Sequence, residues 1–287
     1  MKRAYLYVII AGSLGATGGI FIKMLHELTP TTVAFFRFAL PAVLIGIYFL
    51  YKKIQPFRKR YGWMFLVSVL NAVRILLVVS GFLLISLGTA HTMLFTFPIF
   101  IAVLGIIFLK EKIDISTLFF LLTAFAGVII IYSQGNISLS NEDFLGITFI
   151  LLAALTHAVS VIILKHEIDL YTPVEAVFHQ SLIGSLIFLP FFILSIPSIS
   201  MIDYGFGISY GFIVGLLTWI FYFTALKHMK ASHWSILAYW EVPIAIFYGF
   251  IFFKEPVTIQ MIIGALFIIG SGIGLIITKY KKQKSNT

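Results

Sequence analysis

Ten apolar stretches, each about the length of a bilayer-crossing helix, occupy this chain almost from end to end. They fall approximately at 4–24, 31–51, 62–86, 89–109, 115–132, 144–164, 173–194, 205–226, 232–253 and 258–278. Each crossing helix takes roughly 20 mostly apolar residues. Ten crossings therefore fill most of the 287 residues and leave no room for a separate soluble domain. The apolarity is all-round rather than alternating, which favours helices over a transmembrane barrel. Charged residues are only 11% of the chain, against about 25% in soluble domains, so lipid must be much of its solvent. The expected fold class is all-α integral membrane, with ten transmembrane helices. Lys2-Arg3 ahead of the apolar run from Ala4 has the form of a signal peptide, but nine further runs follow. A retained first span is the expectation.

A formal charge of +9 raises the question of nucleic acid, and the placement of the cations answers it. With the N-terminus inside, the inner side collects Lys2 and Arg3, Lys52, Lys53, Arg58, Lys59 and Arg60, and then Lys110 and Lys112. Lys165, Lys227, Lys230 and the tail lysines 279, 281, 282 and 284 join them. Only Lys23 and Lys254 fall outside, while Arg37 and Arg74 lie within spans. Such a bias puts both termini in the cytoplasm and lets the cations meet anionic headgroups instead of nucleic acid. The chain has no cysteine, so it holds no disulfide, thiolate nucleophile or cysteine-bound metal.

The sequence also repeats. Thr29-Pro30 opens the second span and Thr172-Pro173 the seventh; Pro98 lies in the fourth and Pro243 in the ninth. Lys110-Glu111 ends the fourth, Lys254-Glu255 ends the ninth, and Lys23 and Lys165 end the first and sixth. Five spans is an odd number, so the second copy enters the membrane upside down. The expected organisation is a five-helix repeat over 1–132, an outside linker at 133–143, and a second repeat with a short basic tail over 144–287. Inverted repeats place a binding site near the midplane between halves, opened alternately by rocking one half against the other.

These landmarks resemble the EamA-type family of the drug/metabolite transporter superfamily. The stretch Gly15-Ala16-Thr17-Gly18-Gly19-Ile20-Phe21-Ile22-Lys23 is similar to that family's Trp-Gly-Ser-Asn-type segment ending in Lys, without the Trp. Arg37, in Phe36-Arg37-Phe38, matches an Arg often found in the family's second span. The runs up to Pro98 and Lys110-Glu111, and from Ala225-Leu226-Lys227 through Pro243 to Lys254-Glu255, resemble its fourth and ninth spans. The resemblance covers nearly the whole chain. It implies a central cavity lined largely by spans 1, 3, 4, 6, 8 and 9. It also implies a secondary carrier of amino acids, other metabolites or drugs, most often an exporter.

Ionisable groups at membrane depth cost about 2.5–3.5 kcal/mol on insertion scales and so mark function. Arg74 follows Asn71 by three residues, which puts both on one helix face, and its guanidinium can clamp a carboxylate or phosphate. The structural alternative is a pair with Glu241 or a backbone carbonyl. Glu241, in Tyr239-Trp240-Glu241-Val242-Pro243, can bind an amine, carry a proton or neutralise Arg74, and Tyr239 joins it as a candidate contact. Superposing the halves sets Trp219 opposite Arg74. Trp219 and Tyr222 then share a face as an aromatic wall. His157, mid-way along the sixth span, lines the cavity or bonds a neighbouring helix; His91 and His179 are weaker candidates. Arg37, in a span that the resemblance makes peripheral, is expected to gate or to bond structurally. Pro98 and Pro243 are expected to kink their helices as hinges. Thr172-Pro173-Val174-Glu175 has the capping-box pattern, which assigns Glu175 to a cap. The series Gly15/Gly19, Gly207/Gly211/Gly215 and Gly270/Gly274 suits close helix packing.

A membrane enzyme or a sensor is the alternative to a carrier. A zinc protease needs HExxH, but His26-Glu27 meets Pro30 and His166-Glu167 meets Leu170 at the second histidine position. No Walker-type loop occurs, and the tail from Lys279 to Thr287 leaves no room for an output domain. No cofactor or metal is expected. The expected partners are a small-molecule substrate, a coupled proton or counter-substrate, and the lipid bilayer. A composition rich in Ile, Phe and Lys with tiny loops suggests a bacterial inner membrane.

Overall fold

Every regular element among the described residues is helical. The computed structural model describes residues 2–57, 61–85, 93–132, 141–254 and 256–285. The helices are α1 (Lys2–Ala16), α2 (Gly18–Met24), α3 (Pro30–Lys52), α4 (Tyr61–Leu84), α5 (Phe97–Leu109), α6 (Ile115–Tyr132) and α7 (Asn141–Glu167). The chain continues through α8 (Pro173–Ser195), α9 (Met201–Tyr210), a π-helical segment (Gly211–Leu217), α10 (Thr218–His228), α11 (Ala231–Ala238), α12 (Glu241–Phe253) and α13 (Ile259–Ser285). Eight helical runs among the described residues are long and apolar enough to cross a membrane; Phe97–Leu109 and Ile115–Ile131 are apolar but shorter. The start of the expected fourth span, with His91, lies outside the described residues, as does most of the linker 133–143. Large apolar side chains such as Leu50, Phe108, Leu194 and Ile259 are exposed on the flanks, where only hydrocarbon would tolerate them. The protein is a multi-pass integral membrane protein.

Local chemistry sets the helix ends. The hydroxyl of Thr29 accepts from the Thr32 amide with Pro30 as the first helical residue. At α8 the expected capping box forms: the Thr172 amide donates to Glu175 Oε2 at 2.7 Å, and the Glu175 amide donates to Thr172 Oγ1 at 3.2 Å. The repeated lysines Lys110 and Lys254 end α5 and α12 in the same left-handed conformation, with φ of 52° and 54°. Non-glycine residues avoid this region, and a cation is the favourable charge at a helix C-terminus.

The helices that carry Pro98 and Pro243 begin at turns rather than bending at the prolines. Turns at Phe95-Thr96 and Tyr239-Trp240 precede α5 and α12. Pro98 and Pro243 therefore sit in the first turn of a new helix, not inside a continuous one. This corrects the expected kinks: first-turn amides have no intrahelical acceptor, so proline there removes no hydrogen bond. Span 1 is likewise interrupted at Thr17, whose hydroxyl donates to the Leu14 carbonyl at 2.6 Å.

The main contacts pair α4 with α7 and α8, α1 with α10 and α12, α3 with α8 and the π segment, α5 with α7 and α11, and α6 with α13. Glycine controls two of these approaches. A Cβ on Gly127 would stand 2.6 Å from the Gly264 carbonyl oxygen, and one on Gly264 would overlap the Gly127 carbonyl in turn. One on Gly211 would stand 2.5 Å from the Phe36 carbonyl, and one on Gly215 would overlap that of Arg37. Gly19 and Gly270 face open space, so only part of the expected small-residue series makes contact.

One end of the bundle gathers Lys112, Lys165, Lys227 and Lys230, with Glu111, around helix ends. The Lys165 ammonium donates to the Leu226 and Lys227 carbonyls at the end of α10, at 2.7 and 3.4 Å. Glu111 accepts from the Ala231 and Ser232 amides and the Ser232 hydroxyl, at 2.7, 3.2 and 2.7 Å, covering the positive N-terminus of α11. Lys230 donates to the Lys112 carbonyl at 2.9 Å.

Candidate functional site

Two guanidiniums, one carboxylate and a tryptophan meet inside the bundle. Arg74 and Asn71 share one face of α4: Arg74 Nε and Nη2 donate to Asn71 Oδ1 at 3.2 and 3.0 Å, and both residues are buried. Arg37 on α3 is equally buried, and its Nε has no hydrogen-bond partner among the described residues. Trp219 on α10 stands between them, its ring centroid 5.4 Å from the Arg37 Cζ and 6.0 Å from the Arg74 Cζ, within reach of a cation–π interaction.

Glu241 is the first residue of α12, where the helix dipole favours a carboxylate. Tyr222 Oη donates to Glu241 Oε2 at 3.3 Å. The first span closes over this pair: Trp240 Nε1 donates to Ser13 Oγ at 3.1 Å, and a Cβ on Gly15 would come within 3.3 Å of Glu241 Oε2. Glu241 is an electrostatic neighbour of both arginines, yet its hydrogen bond goes to Tyr222 while that of Arg74 goes to Asn71. The structural alternative of an Arg74–Glu241 pair is thus replaced by two separate bonds, one to Asn71 and one to Tyr222.

The remaining candidates take different places. His157 on α7 is ringed by Phe97, Trp219 and Trp234 at centroid distances of 4.9, 6.2 and 6.4 Å. Tyr239 is fully buried, and its hydroxyl donates to the Phe95 carbonyl at 2.9 Å. It thereby ties the turn before α12 to the turn before α5. His179 is packed against Phe57, Tyr61, Tyr171 and Phe178. Its Nε2 lies 3.0 Å from the Pro56 carbonyl. A carbonyl can only accept, so that nitrogen donates and fastens the loop after α3.

A narrow pocket lies beside Arg37, between α3, α4, α8 and the π–α10 run, lined by Asn71, Gln180, Ser181, Gly215 and Trp219. Arg37, Asn71 and Trp219 were expected at a site; Gln180 and Ser181 were not. Their signal was present as the polar run His179-Gln180-Ser181 inside an apolar span, but neither side chain is ionisable, so the cost of burying a charge did not single them out. Also unforeseen is the π segment that carries Gly215. There the Thr218 hydroxyl donates five residues back, to the Ile213 carbonyl at 3.0 Å. Such segments recur at functional sites because they re-aim side chains within a helix.

Comparison with known proteins agrees with this architecture. The EamA-like transporter family matches residues 2–133 and again 144–278. An "Uncharacterized transporter" of Archaeoglobus fulgidus is 25% identical over 266 residues, 88% of this chain and 90% of the relative. "Uncharacterized transporter YoaV" of Bacillus subtilis is 23% identical over 257 residues, covering 85% and 86% of the two chains. Human "Solute carrier family 35 member G1" is 25% identical over 292 residues, 96% of this chain and 79% of that one. A solved crystal structure 14% identical in sequence superposes with a TM-score of 0.82, covering 94% of this chain and 97% of the other; at that identity it speaks for the fold alone. With matches in both halves and transporter relatives along nearly its whole length, the chain belongs to the EamA-like transporter family, a branch of the drug/metabolite transporter superfamily.

Proposed function

We propose that this protein is a secondary carrier that moves a small organic solute across the bilayer by alternating access, in the export direction. Its ten spans form two inverted five-helix repeats, 1–132 and 144–287, joined by the outside linker 133–143. The packing supports this arrangement because exchanging the halves maps it onto itself. The contact of span 3 with span 6 (α4 on α7) answers that of span 8 with span 1 (α10 on α1). The contact of span 3 with span 7 answers that of span 8 with span 2, while spans 2 and 7, 4 and 9, and 5 and 10 pair with their own counterparts. The broken spans 4 and 9, with Pro98 and Pro243 in the first turn after each break, are the hinge elements. The lysine-rich end is the cytoplasmic one, closed here by the Glu111 cap on α11. The membrane is a bacterial inner membrane.

The observation that carries this reading is the gathering of Arg37 and Arg74 on Trp219, with Glu241 held by the neighbouring Tyr222, where the two halves meet. A site that only held the fold together would pair its charges directly. Here Arg74 bonds its own helix and Glu241 bonds Tyr222, which leaves both poised for a solute. Asn71, Trp219 and Tyr222 line the path, and His157 and Tyr239 support it from behind. A proton or counter-substrate exchanging at Glu241 would supply the drive.

Metabolite profiling of cells that overexpress the protein, against cells that lack it, should reveal a solute whose internal level moves in opposite directions. Purified protein in liposomes should then exchange that solute across the membrane. No differing solute in cells and no exchange in liposomes would remove the carrier reading.

A further inference from the structure

Glu241 is a carboxylate at membrane depth with no cation bonded to it. Among the described residues its side chain makes one hydrogen bond, from Tyr222 Oη at 3.3 Å, and no ion pair. That bond is longer than the roughly 2.7–2.8 Å usual between two oxygens, so the carboxylate is held loosely. A bare charge at this depth is costly, and such groups mark pathways and relays. The space around it is tight on one side. A Cβ on Gly15 would stand 3.3 Å from Glu241 Oε2 and 3.4 Å from Thr218 Cγ2, and one on Gly12 3.5 Å from Tyr222 Oη. The Thr218 hydroxyl turns away to the Ile213 carbonyl, so a methyl group, not an oxygen, meets span 1 there. The bond from Trp240 to Ser13 pins span 1 in this position.

We infer that Glu241 binds the coupled ion of the carrier, that this ion is a proton, and that Tyr222 is the residue that positions it; this rests on the carrier reading above. The partner set points to a proton. A hard metal cation takes about six or more oxygen ligands. Here one carboxylate meets one hydroxyl, and no group of three or more histidines and acids gathers among the described residues. An organic ammonium needs room that span 1 already fills beside Oε2. A proton needs one lone pair. Tyr222 serves both states, because its hydroxyl donates to a carboxylate and accepts from a carboxylic acid. A lysine or arginine could only donate, and would suit the charged form alone. The Tyr222 ring lies between Trp219 and Trp234, at centroid distances of 5.8 and 5.3 Å. Its carbonyl accepts from Trp234 Nε1 at 3.2 Å, so the hydroxyl is fixed in front of Glu241. Tyr222 is buried while Glu241 keeps some accessible surface, as exchange of a proton with water requires. The other charged or titratable groups within electrostatic reach of Glu241 are Arg37 on α3, Arg74 on α4 and Tyr210 on α9. Span 1 contributes only Gly12, Ser13 and Gly15 to its wall. Glu241 is the one carboxylate of that set, so a proton arriving there changes the field at both guanidiniums. That is the link between proton occupancy and solute binding.

The test is infrared difference spectroscopy of the purified protein between mildly acidic and mildly alkaline buffer, beside Glu241→Gln. The wild type should show a carboxylic-acid C=O band that grows with acid as carboxylate absorption falls. The variant should lack that band, while the remaining acidic side chains behave alike in both. Tyr222→Phe keeps the ring between the two tryptophans and removes the hydroxyl. Its band should persist at a shifted frequency, which a tyrosine that only packs would not cause. Identical differences in wild type and Glu241→Gln would overturn the proposal, since Glu241 would then keep one protonation state throughout. Bands that answer to sodium or benzylammonium at fixed pH, and not to pH, would make it a cation site and also overturn it. If Glu241→Gln does not fold, the Tyr222→Phe shift decides alone, and no shift counts against the proposal. Coupling is read in liposomes with the membrane potential clamped. A one-unit pH gradient should there hold about a tenfold gradient of the profiled solute, the equivalent of one proton per solute. A titrating band without any solute gradient would leave the carrier standing and overturn the coupling. If no solute crosses at all, the carrier reading itself fails, and the coupling with it.

Discussion

Arg74→Ala is expected to cut flux of the profiled solute in liposomes by about 10- to 100-fold while the purified protein keeps its helix content and oligomeric profile. The magnitude follows from losing a charged hydrogen-bonding group, about 1.5–3 kcal/mol, at 1.4 kcal/mol per tenfold. The separation of function from folding follows from geometry. The hydrogen bonds of Arg74 go to Asn71 on its own helix, so its removal leaves no helix–helix bond broken. Arg74→Lys should fall between, since an ammonium keeps the charge but lacks the planar fork. If Arg74→Ala transports like the wild type, Arg74 does not belong to the path. If it unfolds, the residue is structural.

Gly215→Ala is expected to destabilise the protein by about 1–3 kcal/mol, the range for overpacking a tight interface. The added Cβ would overlap the carbonyl oxygen of Arg37 and press on Pro41, both on α3. A backbone atom cannot swing aside as a side chain can, so α3 and the π segment must separate. That separation moves Arg37 as well, so flux should fall together with the thermal midpoint. Gly19→Ala is the control: a Cβ there meets nothing within 4 Å, and both readouts should stay at wild-type values. Equal behaviour of the two variants would mean that the glycine stripe on span 8 is not the contact surface described here.

The contrast between Gly215 and Gly19 shows where the sequence stops being legible. Both sit in four-residue glycine series, and nothing in the spacing says which series meets a neighbour. The reciprocal approach of Gly127 and Gly264 was not foreseen at all, because Gly127 is the one glycine of α6 and Gly264 stands outside the Gly270/Gly274 series of α13, so the pattern exists only between helices. What depends on one helix could be read: the apolar spans, the Thr172–Glu175 capping box, the shared face of Asn71 and Arg74. What depends on two could not. Arg37 looked peripheral until α3 was seen against the π segment, and Gln180 drew no notice until α8 was seen lining the same pocket. The breaks before Pro98 and Pro243 were hidden for a related reason. Proline fits the first turn of a helix as readily as it kinks one, and only the paired turns at Phe95-Thr96 and Tyr239-Trp240 decide between them.

The absence of native cysteine makes one experiment unusually clean. Lys112 and Lys230, which meet between the two halves at the lysine-rich end, can be replaced together by cysteine and bridged with a short bifunctional thiol reagent in liposomes. If transport requires the halves to part at that end, bridging should stop solute flux and reduction should restore it, while either single replacement treated alike keeps transporting. Undiminished flux through the bridged protein would mean that the halves do not open there, and the account of two inverted repeats working around a shared polar interior would be contradicted.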